Sequence, residues 1–200
     1  PTQARPDGYA DGMESRKPTR ADLLAAADMI VPDLIRPGLS VLFCGINPGL
    51  YSAATGHHFA RPGNRFWPAI HAGGFTDRLL SPYEECELLE RGYGITNVVN
   101  RASAAADELT AAELTAGGEQ LRTRVKRYRP TYLAVLGVGA YRVAFDQPKA
   151  GLGLQMETIG STRVWVLPNP SGLNAHYRAR DLAKLFHELR EAVEVDSASR

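Results

Sequence analysis

The chain has 200 residues, 44% of them hydrophobic and 22% charged, and carries a net charge of +1. This is the composition of one globular domain with a sizeable core, and a partner rich in phosphate would have to be met by a local basic patch rather than by overall charge. The two cysteines, Cys44 and Cys86, are too few for a four-cysteine zinc or iron–sulfur site, and no apolar run reaches membrane-spanning length.

In chain order, residues 1–18 are rich in Pro, Gly, Asp and Arg and are expected to form a disordered basic arm, with Arg5, Arg16 and Lys17 able to brush phosphates. Residues 19–194 are expected to form a single domain, and residues 195–200 a loose tail. Thr19 with Asp22 opens a helix through Leu23 to Ile30, which Pro32 and Pro37–Gly38 close. Ser40 to Ile46 reads as a strand buried on both faces, stopping at the turn Asn47–Pro48–Gly49. Leu50 to Gly63 reads as a long irregular loop. Asn64 caps a helix that ends at Gly73–Gly74, and Ser81–Pro82–Tyr83–Glu84 opens another that runs to Gly92.

Ile95 to Val99 is a second buried strand, followed by a loop from Ala102 to Asp107. Thr110 caps a helix to Arg129, whose cluster of cations reads as a solvated face at the helix C-terminus. Thr131 to Leu136 is a third strand and Ala140 to Phe145 a short helix. Gln155–Ile159 and Arg163–Leu167 are two further strands, and an amphipathic helix from Arg178 to Val193 follows. Strands alternating with helices predict an α/β fold, a three-layer α/β/α sandwich with a mostly parallel central sheet.

Several chemistries lack their signatures. Gly45 to Gly49 has no following Lys-Ser/Thr for a P-loop and no third glycine for a dinucleotide loop. The adjacent His57 and His58 have no acidic cluster to make them metal ligands, and no Gly-x-Ser-x-Gly elbow is present. No metal and no cofactor are expected. An esterase-like or nucleotide-binding enzyme would bind free nucleotide without DNA, and the missing phosphate loop argues against it.

What stands out is two strand ends, each followed by a proline-bracketed turn with an asparagine at its heart: Ile46–Asn47–Pro48–Gly49 and Leu167–Pro168–Asn169–Pro170–Ser171–Gly172–Leu173. In a parallel sheet both turns leave on the same side and can flank one pocket, or each can simply shape its own turn. Phe59 could supply an aromatic plate, a combination that suits a planar base. Leu173, set apart after a glycine, suits a probe of the base stack.

Gly45–Gly49, Gly56–Phe59, Asn64–Trp67 and Leu167–Leu173 resemble, in order and spacing from about Pro37 to Val193, the mismatch-specific uracil-DNA glycosylase and thymine-DNA glycosylase family. That resemblance implies a monofunctional enzyme. It flips uracil, and related bases such as thymine or modified cytosine, from mismatches with guanine in double-stranded DNA, and water attack at the sugar carbon leaves an abasic site. It implies that Asn47 orients the water, that Phe59 stacks on the base and that backbone near Ile46, Gly49 and Phe59 holds the base carbonyls. Ser52 would discriminate at the base edge. Asn169 stands where other branches place a histidine that stabilises the departing base. Gly172 and Leu173 would form the guanine contact and the wedge.

Asp107 is a candidate auxiliary base resting on loop proximity, and Arg61, Arg65 and Arg101 are candidates for phosphate contact. A neutral asparagine at both catalytic positions implies a slow enzyme. The sequence departs from the family at Asn174–Ala175–His176, where an arginine is frequent, and at Asn97 and Asn100, where relatives often carry a basic and an acidic residue. The resemblance further implies action on DNA with G·U or G·T mismatches; two reduced packing cysteines and a polar N-terminus are expected of a cytoplasmic protein, with no membrane and a monomer as the expected state. The alternative on the same fold is a non-catalytic mismatch- or damage-binding protein.

Overall fold

Five strands form the central sheet of the computed structural model, which describes residues 16–172 and 176–198. They are β1 (Val41–Gly45), β2 (Tyr93–Asn97), β3 (Tyr132–Leu136), β4 (Gly153–Ile159) and β5 (Thr162–Leu167). The spatial order is β2-β1-β3-β5-β4; β4 alone runs antiparallel, joined to β5 as a hairpin across Gly160–Ser161.

Around the sheet stand α1 (Arg20–Ala25), α2 (Leu50–Thr55), α3 (Phe66–Ala72), α4 (Glu87–Glu90), α5 (Ala111–Tyr128), α6 (Val138–Ala144) and α7 (Ala179–Ala198). Alternate residues of each inner strand feed two cores. Val41, Phe43, Tyr132, Ala134 and Leu136 pack with Phe66, Ile70, Leu182 and Phe186 from α3 and α7. Leu42, Cys44, Leu133, Val135, Val164 and Val166 pack with Leu121, Val125 and Tyr141 from α5 and α6. This period of two across apolar strands is what makes three layers. Gly117 and Gly118 let α5 approach closely, because a Cβ at either would collide with the carbonyl oxygen of Val98 or Ala144.

Four strands and the capping boxes fall where the sequence places them, while the second strand is Tyr93–Asn97 rather than Ile95 to Val99. Thr19–Asp22, Ser81–Glu84 and Thr110–Glu113 each form a reciprocal capping box. Other elements differ too: the first helix ends at Ala25 rather than running to Ile30. Leu50–Thr55 is a helix rather than loop, capped by Gly56 in the left-handed region at φ 74°. The helix expected from Ser81 to Gly92 is a 3₁₀ turn, Pro82–Glu84, followed by the single turn of α4. The last helix continues to Ala198 instead of ending at Val193, because Asp196 accepts from Tyr132 Oη at 2.6 Å and pairs with Arg163 at 2.6 Å.

The solvated cationic face of α5 holds for Lys126, Arg127 and Arg129, which are exposed, but not for two of its arginines. Arg122 stacks over Phe145 and pairs with Glu157, while Arg124 is largely buried and pairs with Asp33 at 2.9 Å.

Strand order reverses around β1, since the chain passes from β1 to β2 on one side and then to β3 on the other. In open α/β sheets, the carboxyl ends beside such a reversal are where ligands bind.

Candidate active site

A cavity of about 390 Å³ opens at those carboxyl ends. Its wall takes Gly45 to Gly49 from the end of β1, Asn97 from the end of β2, Leu136 from the end of β3 and Asn169 from beyond β5. The two asparagine turns expected to converge do so.

Asn47 is held by the segment that follows β2. That segment runs back along the turn, with Val98 N donating to the Gly45 carbonyl, Val99 N to Ile46 and Ser103 N to Pro48. Asn47 Nδ2 consequently donates to Ser103 Oγ at 2.7 Å and to the Arg101 carbonyl at 3.1 Å, with the Pro48 carbonyl at 3.2 Å. Ser103 Oγ donates its own hydrogen bond to the Ala105 carbonyl at 2.7 Å. A carbonyl only accepts, so the atom facing Arg101 must be the nitrogen of the amide. Oδ1 is then the end that the side chain offers to the cavity, as an acceptor.

Phe59 has its backbone in the left-handed region, at φ 54°, which is unusual for an aromatic residue. Its ring stacks on Phe66, with centroids 4.1 Å apart and planes 25° apart, and the ring also lines the cavity. Phe66 is fully buried, so the floor beneath the cavity rests on the core. Gly45 is the close approach beside it. A Cβ there would stand 2.6 Å from Asn97 Oδ1 and 3.2 Å from Phe59 Cζ.

The other expected residues divide into two groups. Ile46, Gly49, Ser52, Arg61 and Asp107 line the same cavity. Ser52 is buried, and its Oγ accepts from Ala60 N at 3.1 Å. Asp107 lies exposed in a short 3₁₀ turn, Ala106–Glu108, at the cavity wall. Arg61 is exposed and makes no side-chain hydrogen bond or ion pair among the described residues. Asn169 Oδ1 accepts from Ser171 N at 2.9 Å, closing an Asx turn at the cavity wall. Gly172 lies against the Gly63 carbonyl, 2.6 Å from where a Cβ would stand. Leu173 lies outside the described residues.

Arg65 and Arg101 have surroundings that do not fit phosphate contact. Arg65 donates to the carbonyls of Ser171, at 2.7 Å, and Tyr177, while its backbone N donates to Pro170. It thus braces the chain on both sides of residues 173–175. Arg101 pairs with Glu113 at 2.5 Å and with Asp28 at 3.6 Å. The Arg101 guanidinium and the Thr110 backbone N–H hold the Glu113 carboxyl down at about 2.

Two site residues were missed. Asn97 is only 3% exposed, yet its side chain faces the cavity and makes no hydrogen bond among the described residues. Its signal is masked, because the apolar pattern of Ile95 to Val99 runs on past it and places it mid-strand. Ser103 left no signal, because its role depends on the return of the 98–103 segment. Behind Asn97, Arg124 donates to its carbonyl at 3.2 Å and to Thr96 Oγ1 at 2.8 Å, fixing the strand end. Among the described residues no cluster of His, Cys, Asp and Glu could hold a metal, and no helix is long and apolar enough to cross a membrane.

A family model described as the uracil DNA glycosylase superfamily matches residues 32–193. Among solved structures, the chain is similar to the solution NMR structure of a candidate uracil DNA glycosylase from Methanosarcina acetivorans. The two share 18% identity with a TM-score of 0.54, over 82% of this chain and 98% of that one. At that identity the likeness speaks for the fold.

Proposed function

The chain belongs to the uracil DNA glycosylase superfamily, a family of DNA glycosylase hydrolases, and from that premise we propose that it excises uracil from mismatches with guanine in double-stranded DNA. One observation carries the reading: Asn47, Asn169 and the Phe59 ring, expected from separate stretches of sequence, line one cavity of a size to take a pyrimidine.

The extruded base stacks on Phe59, which is worth about 1–3 kcal/mol and offsets part of the cost of unpairing it. A wobble pair opens more easily than a matched one, which favours mismatched uracil. The Asn97 carboxamide carries the acceptor and the donor that match the N–H and C=O of a uracil edge. Asn47 Oδ1 accepts a hydrogen bond from a water and orients it toward the sugar carbon. As the glycosidic bond breaks, negative charge moves onto the base, and the Asn169 amide donates toward it. A positioned donor of this kind is worth about 10²–10³ in rate.

Among the described residues no lysine lines the cavity, which favours water as the nucleophile and an abasic site as the product. Asp107 is the carboxylate of the cavity wall and serves as auxiliary base to the water. Leu173 takes the wedge role on resemblance alone, with Gly172 beside the unpaired guanine. Thymine and modified cytosine are further substrates of the same cavity.

The test is incubation with a duplex carrying one G·U pair, followed by alkali. Cleavage at the uracil position is expected, stronger than on G·T and on single-stranded uracil. Tight mismatch binding without cleavage would replace the enzyme by a binding protein. Equal cleavage of all three substrates would remove the mismatch specificity.

A further inference from the structure

The loop that carries Phe59 is bonded to an acid that the chemistry does not use. Glu85 lies between the Pro82–Glu84 turn and α4 and is 1% exposed. One carboxylate oxygen accepts from His58 N at 2.9 Å, and the other accepts from His57 Nδ1 at 3.0 Å. Burying a carboxylate is costly unless its oxygens are satisfied, and here both are spent on the two residues that precede Phe59.

The rest of the loop is pinned by single bonds. Trp67 Nε1 donates to the His58 carbonyl at 3.2 Å, His58 Nε2 donates to the Pro32 carbonyl at 2.9 Å and Ala60 N donates to Ser52 Oγ. These anchors surround a residue at φ 54°, where an aromatic side chain does not stay unless its neighbours hold it.

We propose that Glu85 is a positioning residue, which locks the His57–His58 backbone so that the Phe59 ring stays flat on Phe66 as the floor of the base pocket. The functional part of this rests on the glycosylase reading above. The structural part, that Glu85 holds the loop, does not. Glutamine can replace the carboxylate, because its oxygen accepts from His58 N and its nitrogen donates to the other tautomer of His57. Alanine cannot.

Two measurements test it. In single-turnover excision from a G·U duplex, Phe59→Ala and Glu85→Ala each lose about ten- to a hundredfold. The double variant loses no more than about threefold beyond the worse single variant, and Glu85→Gln stays near wild type. Losses that multiply, or a Glu85→Gln as poor as Glu85→Ala, would overturn the positioning role. The second measurement needs no activity. The chain has two tryptophans, and the indole N–H of Trp67 reports the loop directly. Its hydrogen exchange, followed by NMR, is expected to accelerate in Glu85→Ala and stay slow in Glu85→Gln, with Trp165 unchanged in both.

Unaltered Trp67 exchange in Glu85→Ala would overturn the proposal whatever the activity. Accelerated exchange in a protein whose wild type excises nothing would uphold the loop-holding role and sink the glycosylase reading instead. Should the alanine variant fail to fold, Glu85→Leu fills the same volume without the acceptors and is judged by the same criteria.

Discussion

Replacing Asn47 by alanine separates its two jobs. The amide nitrogen binds Ser103 Oγ at 2.7 Å and the Arg101 carbonyl at 3.1 Å, and Ser103 is buried. Ser103 keeps its own donor bond to Ala105, so the variant strands an acceptor and not a donor. The expected loss of stability therefore lies at the low end of about 1–3 kcal/mol. The rate suffers more. Loss of one preoriented dipole at the reacting centre costs about 10²–10³, equivalent to about 2.7–4 kcal/mol of barrier. Single-turnover excision from a G·U duplex with enzyme in excess measures this, with fluorescence anisotropy on the same duplex reporting binding. The rate is expected to fall by that factor while binding is kept. Ser103→Ala, which loosens the amide but leaves the Arg101 carbonyl to it, is expected to fall about tenfold. A rate for Asn47→Ala within about threefold of wild type would refute the assignment of the water to Asn47.

Gly45→Ala drives a methyl to within 2.6 Å of Asn97 Oδ1 and 3.2 Å of Phe59 Cζ. It should destabilise the fold by about 1–3 kcal/mol and weaken uracil binding, read by thermal melting and by duplex affinity. Arg61→Ala should lower the salt slope of DNA binding by about one phosphate contact, whereas Arg65→Ala should leave that slope unchanged and lower only the affinity. A slope for Arg61→Ala equal to that of wild type would mean that Arg61 meets no phosphate. Asp107→Asn should remove the acid limb of the pH–rate profile if this carboxylate assists the water, and an unchanged limb would dismiss it. The Glu113 carboxyl, depressed from 4.5 to about 2 chiefly by Arg101, stabilises the folded state above about pH 4.5 and loses that contribution as pH falls through about 2. The gap in thermal midpoint between wild type and Glu113→Gln should therefore be widest at neutral pH and close toward pH 2.

The strands and the two asparagine turns were legible because their signals are local: an unbroken apolar run, then Pro, Gly and Asn. Leu50–Thr55 was not, since six residues give too little periodicity and lie between two groups of turn residues. Asn97 was misread because the apolar pattern carries on through Val98 and Val99, while the ladder ends at Asn97, and that places its carboxamide at the rim of the sheet. Arg65, Arg101 and Glu85 share a different obscurity. The two arginines read as phosphate contacts and Glu85 carries no signal, yet each is explained by partners far along the chain: the Tyr177 carbonyl for Arg65, Glu113 for Arg101 and the backbone of His58 for Glu85. Non-local pairing leaves no trace in spacing.

The pocket itself is tested most directly by the crystal structure of Asn47→Ala bound to a duplex with uracil opposite guanine, a variant chosen to bind without turnover. An extruded uracil is expected to lie on the Phe59 ring, with its edge at Asn97 and its glycosidic bond facing position 47. Uracil left stacked in the duplex, or DNA seated on any face other than the carboxyl ends of β1, β2 and β5, would contradict it.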